Sequence, residues 1–221
     1  MEVRQFPSGY GSIAFQRMGG AAAAVAALML IAAWLLMTLS GCGKTSPQAE
    51  KSALPSYGDG SREVILYTDY FCPPCQALES ELEPILDELL AKGGVKITLV
   101  DAPVHKLTPL YARYFLFAAN AGKGFKDAMH ARRVLFSIAR AGAVSTEEGL
   151  ESELRKQGVA FQPYDLSRVF ATMNEMLKTH DIRSTPTCVV TYSSTDVRKY
   201  SGPDEIKKGL TTLLSAPQAL K

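Results

Sequence analysis

The 221 residues are 47% hydrophobic and 21% charged, with 24 Lys+Arg against 22 Asp+Glu and a net charge of +2. That apolar share builds a core and excludes a disordered chain. The size suits one ordinary domain, and the balanced charge lacks the basic footprint of a nucleic-acid-binding protein. Four cysteines are too few for a disulfide-stapled miniature fold, so each is read from its own position.

Met18 to Ser40 carries no charged residue and is dense in Ala, Leu and Met, with Trp34 near its end. Arg4 and Arg17 precede this run, and Leu39-Ser40-Gly41-Cys42 closes it. An aliphatic residue, a small residue, Gly and Cys in that order resemble the lipobox of a bacterial lipoprotein signal peptide. The resemblance implies cleavage before Cys42, which then becomes the lipidated first residue of the mature protein. The run exceeds the roughly 7–15 residues of a usual signal core and reaches the roughly 17–25 of a spanning helix, so an uncleaved signal anchor stands as the alternative. Both readings give residues 1–41 to targeting or anchoring and tether the remainder to a membrane. Gly43-Lys44-Thr45 imitates the end of a phosphate-binding loop, but that motif's first glycine would fall at Thr38 and no strand precedes it.

Residues 42–61 turn to Ser, Pro, Gly, Gln and Lys, with Pro47, Pro55, Gly58 and Gly60, the composition of a flexible spacer. The folded domain is expected over 62–216. Glu63 to Thr68 is a β-branched and aromatic run of strand length, and Cys72-Pro73-Pro74-Cys75 follows it. Leu78, Leu82, Ile85, Leu86 and Leu89 then recur at helical spacing until Gly93-Gly94. Val95, Ile97 and Leu99 alternate with Lys96 and Thr98 in a second strand. From about 107 to 180 the signals are helical. Thr108-Pro109 reads as a cap followed by a first-turn proline, Ser145 and Glu148 have capping-box spacing, and Tyr164 to Lys178 forms a further helix. Strands return at Thr187 to Tyr192 and Val197 to Ser201, and Gly202-Pro203-Asp204 opens a last helix carrying Ile206, Leu210 and Leu213. The order predicts an α/β fold: βαβ, a helical block, then ββα.

Two cysteines between a strand and a helix have a chemical use. With Cys72 at the N-cap, its sulfur faces the positive end of the helix dipole, which favours thiolate over thiol. Pro74 at the second helical position has no N–H, so of the usual capping donors only the Cys75 amide remains. The expectation is a Cys72 pKa that is depressed, though not extremely, and a Cys75 that is the more buried of the two. Covalent haem attachment needs His at position 76, which is Gln76. A structural zinc needs two further ligands, and only Cys188 and the scattered His105, His130 and His180 remain. A structural disulfide closing so short a loop gains little. No metal and no cofactor is therefore expected.

Val64-Ile65-Leu66-Tyr67-Thr68-Asp69-Tyr70-Phe71-Cys72-Pro73-Pro74-Cys75, followed by Glu83-Pro84-Ile85-Leu86-Asp87-Glu88-Leu89, resembles the active-site strand and helix of the thioredoxin superfamily. Ser184-Thr185-Pro186-Thr187 is similar to its second hallmark, the Thr-Pro that opens the third strand. The resemblance implies a cis proline at Pro186 packed against the cysteine pair, a position that requires proline because other cis bonds are so rare. The helical block, with Phe125 to Phe136, is similar to the insertion of DsbA-type members. Glutaredoxins share Leu66-Tyr67-Thr68 ahead of Cys72-Pro73 but are shorter and lack that block.

The implied activity is thiol–disulfide exchange on protein substrates. Cys72 and Cys75 are the catalytic pair, Pro73, Pro74, Thr185 and Pro186 support it, and a redox partner resets it. The implied place is the cell envelope, membrane-anchored and facing the periplasm or outer surface. Two other uses stay open: a redox-inactive lipoprotein using the fold as a binding module, and a dedicated disulfide reductase for cytochrome maturation. Two departures bear on mechanism. Many relatives carry a buried acid six residues before the first cysteine, where this chain has Leu66, while Asp69 is expected nearer the surface. Strongly oxidising DsbA proteins carry His where this chain has Pro74. Cys188 reads as a small core residue. The three histidines read as surface residues, and the aromatic residues from Tyr70 to Phe117 as either helix packing or the lining of a substrate groove.

Overall fold

The computed structural model describes residues 3–5, 54–142 and 144–215. The apolar run and Leu39-Ser40-Gly41-Cys42 lie outside the described residues. Five strands form one mixed sheet in the order β1-β3-β2-β4-β5: β1 (Ser56–Tyr57), β2 (Arg62–Thr68), β3 (Val95–Asp101), β4 (Thr187–Ser193) and β5 (Asp196–Ser201). The helices are α1 (Pro73–Lys92), α2 (Thr108–Ala121), α3 (Phe125–Ala141), α4 (Glu147–Lys156), α5 (Ser167–Thr179) and α6 (Pro203–Ser215). The α/β order read from periodicity is the observed one, with α2 to α5 inserted between β3 and β4. No helix among the described residues is long and apolar enough to cross a membrane.

The central strand is β2, whose Val64, Ile65, Leu66 and Tyr67 are all buried. Continuous rather than alternating burial is what a strand covered on both faces requires. It pairs in parallel with β3, Val64 opposite Ile97 and Thr68 opposite Asp101. A parallel pair needs a crossover, and α1 supplies it, burying Leu78, Leu82, Leu86 and Leu89 along one stripe. On its other side β2 runs antiparallel to β4, Tyr67 opposite Thr187 and Leu66 opposite Cys188. This register brings the end of β2, which leads to Cys72, beside the start of β4, which follows Pro186.

Three local expectations are corrected. The sheet starts inside the expected spacer: β1 runs antiparallel to β3, and the Ser56 and Thr98 hydroxyls share a 2.9 Å hydrogen bond. A two-residue strand is too short to show alternation. A Cβ on Gly60 would lie 1.9 Å from the Gly94 carbonyl carbon, so that glycine marks a close backbone approach, not a flexible spacer. Thr108 is the first helical residue of α2, not its cap, because its hydroxyl bonds a carboxylate described below. The cap of α4 is Thr146, whose oxygen accepts the Gly149 N–H at 3.2 Å, in place of Ser145.

Candidate active site

Cys72 is the N-cap of α1, in extended conformation with φ −83° and ψ 115°, and Pro73 and Pro74 form the exposed first turn. Both cysteines are free thiols, Cys72 6% and Cys75 1% exposed, so the second is the more buried as expected. The Gln76 N–H donates to the Cys72 carbonyl at 3.0 Å, and the Gln76 side-chain amide donates to the Tyr70 carbonyl at 2.8 Å, fastening the loop to the helix start. The Thr185–Pro186 peptide is cis, and the Cys72 thiol donates to the Thr185 carbonyl at 3.2 Å. Residues 113 positions apart thus meet at the Cys72 sulfur.

The Cys72 sulfur makes no capping hydrogen bond to the helix amides. The Cys75 thiol is the main donor that holds Cys72 down, at about 6, against the opposing effect of burial, with smaller shares from Thr185 and then from the nearby Cys75 amide. Sequence reasoning anticipated the depression and assigned it to the helix dipole and the Cys75 amide. Burial, and then the neighbouring Cys72 sulfur, push the Cys75 thiol far above its ordinary range. The pair thus holds one sulfur that ionises readily at the helix start and one buried sulfur that keeps its proton.

Behind the pair lies a buried ionic cluster. Glu79, one turn beyond Cys75 on α1, binds Arg132 of α3 through two bonds, Nε to Oε1 at 2.9 Å and Nη2 to Oε2 at 2.8 Å. Arg132 also donates to Thr68 Oγ1 at 3.0 Å and reaches Asp101 at 3.4 Å, and the Tyr70 hydroxyl donates to Asp101 at 3.0 Å. Arg132, Glu79, Asp101, Tyr70 and Thr68 are all buried. Two carboxylates share one guanidinium, and burial pushes the Asp101 carboxyl up to about 7 despite Arg132.

A family model described as Thioredoxin matches residues 57–208. The chain belongs to the thioredoxin family. No curated protein matches it in sequence. Among solved structures it is similar to a putative protein-disulfide isomerase from Pseudomonas syringae, with TM-score 0.56 and 17% identity over 73% of this chain and 98% of that one. It is similar to a periplasmic thioredoxin-like protein from Salmonella enterica serovar Typhimurium, with TM-score 0.52 and 17% identity over 74% and 91%. A third is the thiol-disulfide exchange protein alpha-DsbA2 from Wolbachia pipientis, with TM-score 0.53 and 15% identity over 74% and 88%. At these identities the likeness is one of fold: the thioredoxin sheet with a helical insertion after its second family strand.

Within this thioredoxin fold, Asp69 is not near the surface but fully buried, because five donors converge on its carboxylate: Phe71 N, Val104 N, His105 N, His105 Nδ1 and Thr108 Oγ1. Leu66 is buried opposite Leu99 and Cys188, and the buried acids are Asp69, Glu79 and Asp101 instead. The histidines are half-buried, not surface residues. His105 is bound to Asp69, His130 Nε2 lies 3.1 Å from the Gln157 carbonyl, and His180 Nδ1 lies 2.5 Å from the Tyr67 hydroxyl. Burial, with the Lys199 ammonium, holds His180 below its ordinary range. Cys188 is a core residue, and burial pushes its thiol far up. Tyr70, Tyr111, Tyr114, Phe115 and Phe117 are buried in packing, which leaves half-buried Phe71 as the aromatic group at the rim beside Cys72.

Sequence reasoning missed Gln76, His105, Thr108, Glu79, Arg132 and Asp101 as parts of the site. Glu79 carried a signal: it stands directly after Leu78 on the apolar stripe of α1, one turn from Cys75.

Proposed function

We propose that this thioredoxin-family chain is a thiol–disulfide oxidoreductase acting on protein thiols and disulfides through Cys72 and Cys75. The observation that carries the reading is an ionisable Cys72 at a helix start, backed by a buried protonated Cys75 and touching the Thr185 carbonyl. Reduced Cys72 attacks a substrate disulfide, forming a mixed disulfide and releasing one substrate thiolate. Cys75 gives up its proton and attacks Cys72, so the second substrate sulfur leaves and the Cys72–Cys75 bond forms. The protein is oxidised by two electrons and the substrate reduced by two. Run in reverse, the oxidised pair makes a disulfide in a substrate dithiol. Thr185 and Pro186 present backbone to an extended substrate segment.

Cys72→Ser is expected to abolish insulin reduction and dithiol oxidation. Retained biological function in that variant would instead support a binding module. The direction of flow follows from the reduction potential against glutathione: near about −120 mV the protein is an oxidant, near about −270 mV a reductant. We infer further that residues 1–41 deliver the domain, joined through the segment that follows Cys42, to the extracytoplasmic face of a membrane. The support is the sequence match at Leu39-Ser40-Gly41-Cys42. Cleavage there would remove residues 3–5, and with them the Arg4 N–H bond to the Pro103 carbonyl. Mass spectrometry of the membrane-bound protein should find a lipidated Cys42 at the amino terminus, and a chain that still carries residues 1–41 would leave the uncleaved anchor.

A further inference from the structure

We propose that Asp69 is a positioning residue of the dithiol site: its buried carboxylate pins the Cys72 loop to the turn that opens the helical insertion and sets a negative charge in the tight turn that carries Cys72. The inference rests on the oxidoreductase reading only in taking Cys72 as the reactive thiol. Asp69 Oδ1 accepts from Phe71 N at 2.8 Å, beside the nucleophile, and lies 3.0 Å from His105 Nδ1. Oδ2 accepts from Val104 N and His105 N, each at 3.0 Å, and from Thr108 Oγ1 at 2.6 Å. A carboxylate offers about four lone-pair sites, so these five donors saturate it. They come from two segments, the Cys72 loop and the 104–108 turn, and the carboxylate joins them.

The backbone carries that fixation to the sulfur. The Asp69 carbonyl accepts the Cys72 N–H at 3.2 Å, so the carboxylate and the nucleophile belong to the two ends of one tight turn. A negative charge so placed opposes a thiolate, and Asp69 is among the groups that raise the Cys72 thiol. The site thus contains an accelerator and a brake: the Cys75 thiol stabilises the Cys72 thiolate, and Asp69 limits it. Among the described residues, the titratable groups facing Asp69 are His105 and, at the end of β3, Asp101; those facing Cys72 are Cys75 and Asp69. Each hydrogen-bond donor on Asp69 blunts its field, the Thr108 hydroxyl most closely.

Two substitutions separate charge from scaffolding. Asp69→Asn keeps the shape, removes the charge and replaces one accepting oxygen by a donating NH2, whereas Thr108→Val keeps the charge and strips its shortest donor. In the reduced full-length chain in detergent, the pH dependence of iodoacetamide alkylation at Cys72 is followed by mass spectrometry. From a midpoint of about 6, a fall of half to one pKa unit in Asp69→Asn should raise the thiolate fraction at pH 5 roughly threefold to fivefold. Thr108→Val should raise the midpoint, with about twofold less thiolate at the same pH. Opposite shifts support the proposal. An unchanged midpoint in Asp69→Asn, or shifts of the same sign in both variants, would overturn it by showing a merely structural carboxylate. If Asp69→Asn does not fold, Thr108→Val decides alone: a raised midpoint supports the brake, and an unchanged or lowered one overturns it. Alkylation reads the thiol, not turnover, so an inactive but alkylatable Cys72 would count against the oxidoreductase reading and leave this result standing.

Discussion

Cys75→Ala removes the donor that contributes most to holding the Cys72 thiol at about 6, and leaves the helix start and the Thr185 carbonyl in place. A hydrogen bond to a charged group is worth about 1.5–3 kcal/mol, and one pKa unit is about 1.4 kcal/mol. The Cys72 midpoint should therefore rise by about one to two units, into the range of about 7 to 8. At pH 5.5 a rise of about 1.5 units cuts the thiolate fraction roughly twentyfold. The more basic thiolate is also the better nucleophile, with a Brønsted coefficient of about 0.4–0.5, so the alkylation rate falls only about fivefold. The midpoint, not the rate at one pH, is the quantity to read, from thiolate absorbance or from alkylation across pH 4 to 10. A midpoint that stays near 6 in Cys75→Ala refutes the reasoning and returns the depression to the helix amides and dipole.

Arg132→Met strands Glu79 and Asp101 in the interior without their guanidinium, and unfolding in urea should show a loss of about 3–5 kcal/mol; a loss below about 1 kcal/mol would mean that water reaches the cluster. Asp101 holds its proton up to about 7 in the folded state and to 3.8 in the ordinary one. Between those values the folded chain binds the extra proton, so this contribution is complete below about pH 4 and is lost as pH rises through 7. Asp101→Asn should flatten that slope by an amount on the order of a few kcal/mol, read from urea midpoints at pH 4.5 and 7.5, and an unaltered slope would assign it elsewhere. Cys188 should resist alkylation in the folded chain at pH 8 and react in denaturant, with Cys188→Ala leaving the Cys72 midpoint in place; modification of native Cys188 would show that the β4 core opens.

The cysteine pair, the Thr185–Pro186 hallmark and the order of strands and helices were legible in the sequence because each rests on neighbours along the chain. A three-residue spacing puts Cys72 and Cys75 on one helical turn. Alternation at Val95, Ile97 and Leu99 marks a strand whatever it later pairs with, and an unbroken helical pattern from 108 to 179 marks an insertion before its packing is known. The direction of the Cys72 shift was expected from its place at a helix start, but its main cause is the Cys75 thiol.

Only tertiary structure decided what stands around that pair. Asp69 reads as a surface acid because a lone carboxylate is costly to bury, and it is buried because donors from 2 to 39 residues away converge on it. Glu79 and Arg132, 53 residues apart, neutralise each other in the interior, and Thr108 gives its hydroxyl to Asp69 instead of capping its own helix. Burial of a charge depends on its partners, and those partners are set by the sheet register and by the docking of α3 on α1. The sequence by itself therefore determined the dithiol and the elements that carry it, while the electrostatic surroundings that set its reactivity arose only when distant segments met.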